Sequence, residues 1–168
     1  KVTGMIPDSV VSYGTDGLMF ARAYYRLGET EKAEALVATI KDRVNANLDW
    51  FVRLDPFQLS NTMADVLYNN INPMLLITST YQQYDKEQYV VMTDDLLERA
   101  LSFYQVGVPY LGDVILKEIT DNSVRGYYGA AAGDSLHRDT EETIMQKTLS
   151  LMQKYSPRML EQYNTTGE

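Results

Sequence analysis

The sequence predicts an all-α fold built from antiparallel helical hairpins, with an additional C-terminal helical segment. Apolar residues recur at steps of three and four along most of the chain, which is the spacing of a helix rather than of a strand. Glycine and proline interrupt this pattern at a few positions, as expected where helices end. The 168 residues, 45% of them hydrophobic, suffice for one buried core, so we expect a single helical domain over residues 1–168.

The first hairpin is predicted over residues 1–55. Its first helix covers about residues 10–27, and Asp8 or Ser9 can cap its start. A second helix follows Gly28 and carries apolar residues at helical spacing. It ends at about Leu54, shortly before Pro56. Two helices joined by so short a turn are expected to lie antiparallel.

Residues 56–120 are predicted to contain further helices, in the segments 56–84, 93–106 and 110–119. Asn70, Asn72 and Pro73 are expected to kink or split the first of these, because proline has no backbone N–H and its ring clashes with the preceding turn. The segment 88–92 is ambiguous between helix and extended chain.

The C-terminal part is predicted to consist of a loop and a helix. Residues 121–138 contain three glycines and lack helical periodicity, which indicates a long glycine-rich loop. The C-terminal helix is predicted over residues 139–163, with Asp139 as its N-cap and an interruption at Pro157.

The turn of the first hairpin contains a recognisable spacing of Tyr24, Gly28 and Ala33, with Ala21 at a small position of the first helix. The tyrosine packs the end of one helix, the glycine reverses the chain with a positive φ, and the alanines let the two helices approach closely. This spacing resembles the tetratricopeptide repeat. The resemblance implies a helical module that holds protein or peptide partners.

A longer part of the first 55 residues resembles a second family. The stretches that carry this likeness are 5–10 (Met-Ile-Pro-Asp-Ser-Val), 23–33 (Ala-Tyr-Tyr-Arg-Leu-Gly-Glu-Thr-Glu-Lys-Ala) and 48–51 (Leu-Asp-Trp-Phe). They are similar to the soluble C-terminal tail of multi-spanning Gram-negative membrane proteins related to the GT-C type protein O-mannosyltransferases. The resemblance implies a periplasmic appendage, tethered to the inner membrane in the full-length protein. Catalytic residues of such enzymes lie in the membrane part, so none is carried onto this chain.

Composition excludes several classes of partner. Fifteen Lys and Arg residues against 23 Asp and Glu residues give a net charge of −8, which repels nucleic acid. No apolar run approaches the roughly 20 residues that span a bilayer, so we expect membrane association only through a part of the protein outside this chain. The absence of cysteine excludes disulfides and thiolate zinc sites.

The tetratricopeptide alignment places Leu18, Arg22, Tyr25 and Arg26 on the inner, groove-facing side of the first helix. Arginine and tyrosine are the residue types that carry binding energy when partly desolvated. We therefore predict a partner-binding groove at these four residues, for an acidic or carboxylate-ended segment. The alternative is that Arg22 and Arg26 only pair with Glu29, Glu31 or a neighbouring helix of the same fold.

No catalytic residue, metal site or cofactor site is predicted. His137 is the single histidine, and Ser135 is too close to it along the chain to form a nucleophile–base pair. One histidine without cysteine does not supply the three or four ligands that zinc needs. The sequence thus favours a non-catalytic recognition or scaffolding module. The alternative is a carbohydrate-binding or enzymatic domain that uses the loop Tyr127–His137.

Overall fold

The computed structural model describes residues 14–166, and the regular structure of this part is helical, without a strand. The helices are α1 (Gly14–Arg26), α2 (Thr30–Phe51), α3 (Pro56–Asn61), α4 (Met63–Val66), a π-helical turn (Leu67–Ile71), α5 (Asn72–Tyr84), α6 (Lys86–Gln105), α7 (Pro109–Gly129), α8 (Ser135–Tyr155) and α9 (Pro157–Thr166). The prediction of an all-α fold of helical hairpins is confirmed. The predicted start of the first helix near Val10, with its caps Asp8 and Ser9, lies outside the described residues.

The chain divides into two compact units, Lys1–Lys86 and Glu87–Glu168. In the first unit, α1 and α2 form the predicted hairpin, and α5 packs against both of them. The buried stripe of α2 follows helical spacing from Ala33 through Ile40 and Leu48 to Phe51. Each helix thus contributes one apolar face to a shared core.

The predicted break near Pro73 takes the form of the π-helical turn. A proline at the second position of α5 cannot donate to the preceding turn, and the helix widens there instead of continuing. Asn70 is buried in this turn, where it accepts a hydrogen bond from Asn47 at 3.0 Å and donates one to the Asp65 carbonyl at 3.2 Å. The buried amide is therefore satisfied on both sides.

The second unit contains α6 to α9, and α7 packs extensively along α8. The chain enters α7 through Gly107, which has a φ of 82°, and through Pro109 at the first helical position. The ambiguous segment 88–92 is helical and belongs to α6.

The prediction of a long loop over residues 121–138 is wrong for most of its length. Helix α7 continues through Gly126 to Gly129, and only residues 130–134 connect it to α8. Glycine in a helix costs about 1 kcal/mol relative to alanine, and this cost is offset because α7 buries the apolar side chains of Ile115, Leu116 and Ile119.

The predicted N-cap of the C-terminal helix is also wrong. The side chain of Asp134, and not that of Asp139, accepts a hydrogen bond from the backbone N–H of His137 at 3.0 Å. Helix α8 therefore begins one turn earlier, at Ser135. Pro157 ends it as predicted, because α9 starts there as a separate helix.

Candidate functional site

The residues of the first hairpin turn show how α1 ends and how closely α2 approaches it. Ala21 and Ala33 are fully buried between α1 and α2. Gly28 has a φ of 75°, and the next backbone N–H, that of Glu29, donates to the Tyr24 carbonyl at 2.9 Å. This pair of features is a Schellman motif, which closes the C-terminal end of α1.

The predicted groove residues Leu18, Arg22, Tyr25 and Arg26 do not line one open surface. Leu18 is 2% exposed and belongs to the core, whereas Arg26 is exposed to solvent. Arg22 contacts α5, where its guanidinium donates hydrogen bonds to Thr80 Oγ1 at 2.8 Å and to Ser79 Oγ at 2.7 Å. Partner binding at this face stays a prediction, with Arg26 as its exposed member.

Tyr25 also faces α5. Its ring stacks on that of Tyr84, with centroids 4.8 Å apart and planes 5° from parallel. Its hydroxyl is buried and has no hydrogen-bond partner among the described residues. Burial raises the pKa of Tyr25 to about 12, and the nearby Tyr81, Glu34 and Asp85 act in the same direction. This side chain therefore fills a helix–helix contact of the first unit.

The region Tyr127–His137, which carries the alternative function, is divided between the end of α7, a short connection and the start of α8. Tyr128 is 81% exposed and meets Tyr127 edge to face, with ring centroids 5.3 Å apart. The imidazole of His137 lies 3.2 Å from the Gly126 carbonyl, which requires a proton on Nε2 because a carbonyl oxygen only accepts. This hydrogen bond of His137 thus connects α8 to α7.

A buried carboxylate lies behind this histidine. Glu141 is 0% exposed, and its Oε2 accepts a hydrogen bond from the hydroxyl of the buried Tyr89 at 2.7 Å. Its Oε1 is 3.6 Å from His137 Nε2. A side chain so deeply enclosed cannot touch a substrate, and its hydrogen bond to Tyr89 joins α8 to α6. Sequence reasoning missed Glu141, although it falls on the apolar stripe of α8, three residues before Ile144.

A cleft of about 760 Å³ opens in the second unit, bounded by α7, α8 and α9. Its size lies in the range of ligand-binding sites, about 300–1,000 Å³. Each helix contributes one apolar residue to the lining: Val124 of α7, Met152 of α8, which is buried beneath the cleft, and Met159 of α9. Methionine side chains are flexible and polarizable, so they adapt to apolar groups of different shape.

The polar rim of the cleft comes mainly from α7. Lys117, Asp121 and Arg125 follow one another at intervals of four residues and therefore lie on one helix face. Lys117 Nζ donates to Asp121 Oδ2 at 2.5 Å. Tyr163 of α9 stands opposite, and burial, followed by the nearby Asp121 and Tyr128, raises its pKa. Its hydroxyl therefore keeps its proton and can act as a hydrogen-bond donor.

Aromatic stacking holds the C-terminal end of α8, from which the chain continues into α9. The ring of Tyr155 stacks on that of Tyr104, with centroids 5.0 Å apart, and Tyr104 donates to Asp113 Oδ1 at 2.6 Å. Burial raises the pKa of Tyr104 well above its usual range. Gly112 allows this arrangement, because a Cβ there would lie 2.7 Å from the Tyr104 ring.

Sequence reasoning missed the cleft because it placed a loop where α7 continues. The signal was present, since Lys117, Asp121 and Arg125 keep a four-residue period through the glycine-containing stretch. Within residues 14–166, no group of three or more His, Asp and Glu side chains is arranged to hold a metal ion. In the same range, no helix is long and apolar enough to cross a membrane.

Compared with protein-family models, with curated proteins and with solved structures, the chain matches none.

Proposed function

We propose that this chain is a non-catalytic recognition module that binds a peptide segment of a partner protein in the cleft between α7, α8 and α9. The observation that carries the proposal is the cleft itself, which combines two methionines with a short row of polar side chains. Binding sites of this kind are mainly apolar, with a few polar groups that orient the ligand. A groove bounded by helices suits a helix or an extended chain as occupant.

A peptide selection tests this function. A random peptide library displayed on phage is selected against the immobilised 168-residue chain, and the binders are then measured against two variants. Met159→Lys places a charge on the apolar surface of the cleft and should abolish binding. Leu136→Lys changes a side chain that is 71% exposed and outside the cleft, and should leave binding intact. Thermal melting of both variants controls for folding.

Two results would contradict the proposal. One is a selection that yields no binder. The other is a set of binders that respond equally to Met159→Lys and Leu136→Lys, because such peptides would bind outside the cleft.

The cellular setting of the module is a further part of the proposal. The likeness of residues 1–55 to tails of GT-C-related membrane proteins supports a periplasmic, tetratricopeptide-like appendage of a membrane-anchored glycosyltransferase-like protein. Alkaline phosphatase fused to the C-terminal end of the full-length protein should then be active. An inactive fusion, with an active β-galactosidase fusion at the same position, would place this part on the cytoplasmic side.

The exposed Tyr128 favours a second candidate, a carbohydrate-binding surface at the α7–α8 connection. Aromatic rings that present one face to solvent can stack on sugars. Saturable binding of a disaccharide that is lost in Tyr128→Ala, but kept in Met159→Lys, would support this candidate over peptide recognition.

A further inference from the structure

The charges on the cleft of the second unit are unevenly compensated. Lys117 and Asp121 neutralise each other through their 2.5 Å hydrogen bond. Arg125, one turn further along α7, is exposed and forms no ion pair with another described side chain. The cleft therefore presents about one positive charge in a chain whose net charge is −8. A ligand with a single negative charge near Arg125 complements it.

The geometry of the cleft also restricts the ligand. Val124 and Met159 are partly exposed in the cleft, and the buried Met152 closes it from below, so part of the ligand must be apolar. The lining residues of α7 run from Lys117 to Arg125, which is about 12 Å or roughly two helical turns. The cleft is partly open to solvent, whereas the site of a small free amphiphile usually encloses most of the ligand surface. A peptide that shows only some of its side chains to the cleft fits an open groove better.

We propose that the occupant is an amphipathic peptide segment that sets apolar side chains against Met152 and Met159 and one Asp or Glu carboxylate against Arg125. This inference rests on the proposed recognition function and names its ligand. Arginine is suited to the role, because its planar guanidinium forms two parallel hydrogen bonds with a carboxylate. Lys117 is held by Asp121 and contributes less to the choice of ligand.

The test uses the peptides that the phage selection yields. Each is synthesised in two forms, one with its acidic residue and one with the matching amide, and both are titrated against the 168-residue chain by fluorescence anisotropy. The acidic form should bind about tenfold more tightly to the unmodified chain. With Arg125→Gln, the acidic and amide forms should bind equally. Arg138→Gln removes another exposed arginine of the same unit, outside the cleft, and should keep the tenfold preference.

The site of binding has its own readout. In a chain labelled with ¹³C at the methionine methyl groups, the acidic peptide should shift the signals of Met152 and Met159. The signal of Met19, which is 67% exposed on α1, should stay unchanged. Conservative Met→Leu replacements assign these signals.

Three outcomes would overturn the inference. Acidic and amide peptides could bind equally to the unmodified chain and shift the methyl signals of both cleft methionines. The chain would then not recognise the carboxylate, although peptide recognition would stand. If sodium dodecanoate shifts the same two methyl signals and displaces the peptides at lower concentration, the occupant is a fatty acid rather than a peptide. If the selection yields no peptide, the inference and the proposed function fail together.

Discussion

At the scale of single residues, Gly28 and Gly129 show how differently two glycines of one chain can act. Gly28 has a φ of 75°, in the left-handed region that other residues enter at a cost of about 1–2 kcal/mol. Gly129 ends α7 with helical geometry, and a Cβ there would meet no atom within 4 Å. The backbone conformation therefore requires glycine at position 28, whereas position 129 accepts other residues.

We therefore expect opposite results from the same substitution. Gly28→Ala should lower the free energy of unfolding by about 1–2 kcal/mol. Gly129→Ala should leave it unchanged or raise it by up to about 1 kcal/mol, because alanine favours the helix. Urea denaturation followed by circular dichroism measures both values. Equal losses in the two variants would mean that Gly28 does not hold the turn.

At the scale of elements, the contact between α1 and α5 uses a charged side chain as part of the packing. The hydroxyls of Ser79 and Thr80 both donate to the Leu76 carbonyl and both accept from Arg22. Thr80 is fully buried, so its hydroxyl loses a hydrogen bond inside the fold if the arginine is removed. Arg26, one turn later on α1, is exposed. Two arginines that look equivalent in the sequence thus have different roles.

Alanine at these two positions should separate the roles. Arg22→Ala should reduce the free energy of unfolding by about 1–2 kcal/mol, because it removes the hydrogen bonds to the partly buried Ser79 and the fully buried Thr80. Arg26→Ala should change it by less than about 0.5 kcal/mol, as is usual for exposed positions. Thermal denaturation of the pair gives the comparison. A larger loss in Arg26→Ala would show that the exposed arginine has a structural partner.

At the scale of the whole molecule, tyrosine ionisation connects stability to alkaline pH in both units. The pKa is raised, mainly by burial, for a set of tyrosines that comprises Tyr25, Tyr81, Tyr104 and Tyr163. In the unfolded chain these groups lose their protons near pH 10, whereas in the folded chain they keep them to higher pH, about 12 for Tyr25. Between about pH 10 and pH 12, the folded state therefore binds more protons than the unfolded state.

It follows that the free energy of unfolding should be insensitive to these groups below about pH 10 and should fall as the pH rises from there towards 12. Tyr25→Phe should reduce the steepness of this fall, since phenylalanine has no proton to lose. Its effect at neutral pH should be small or stabilising, because the hydroxyl that it removes is buried without a partner. Urea denaturation at neutral pH and at about pH 11 measures both effects. An unchanged alkaline slope in Tyr25→Phe would contradict the assignment.

The sequence by itself determined the features that depend on neighbours a few residues apart. The helical period of the core residues, the turn at Gly28 and the break before Pro73 follow from interactions within about four residues, which the order of amino acids specifies directly. For this reason the helical hairpin could be predicted, and so could the burial of Ala21 and Ala33.

Only the tertiary structure decided which side chains meet across long separations. Arg22 and Thr80 are 58 positions apart, and Tyr89 and Glu141 are 52 apart, so no local pattern pairs them. The extension of α7 to Gly129 likewise depends on packing against α8, because its glycines lower the local preference for a helix. This extension forms the cleft, because it brings Arg125 to the same opening as Met152 and Met159. The physical reason is that burial against another helix outweighs the low helix propensity of a short segment.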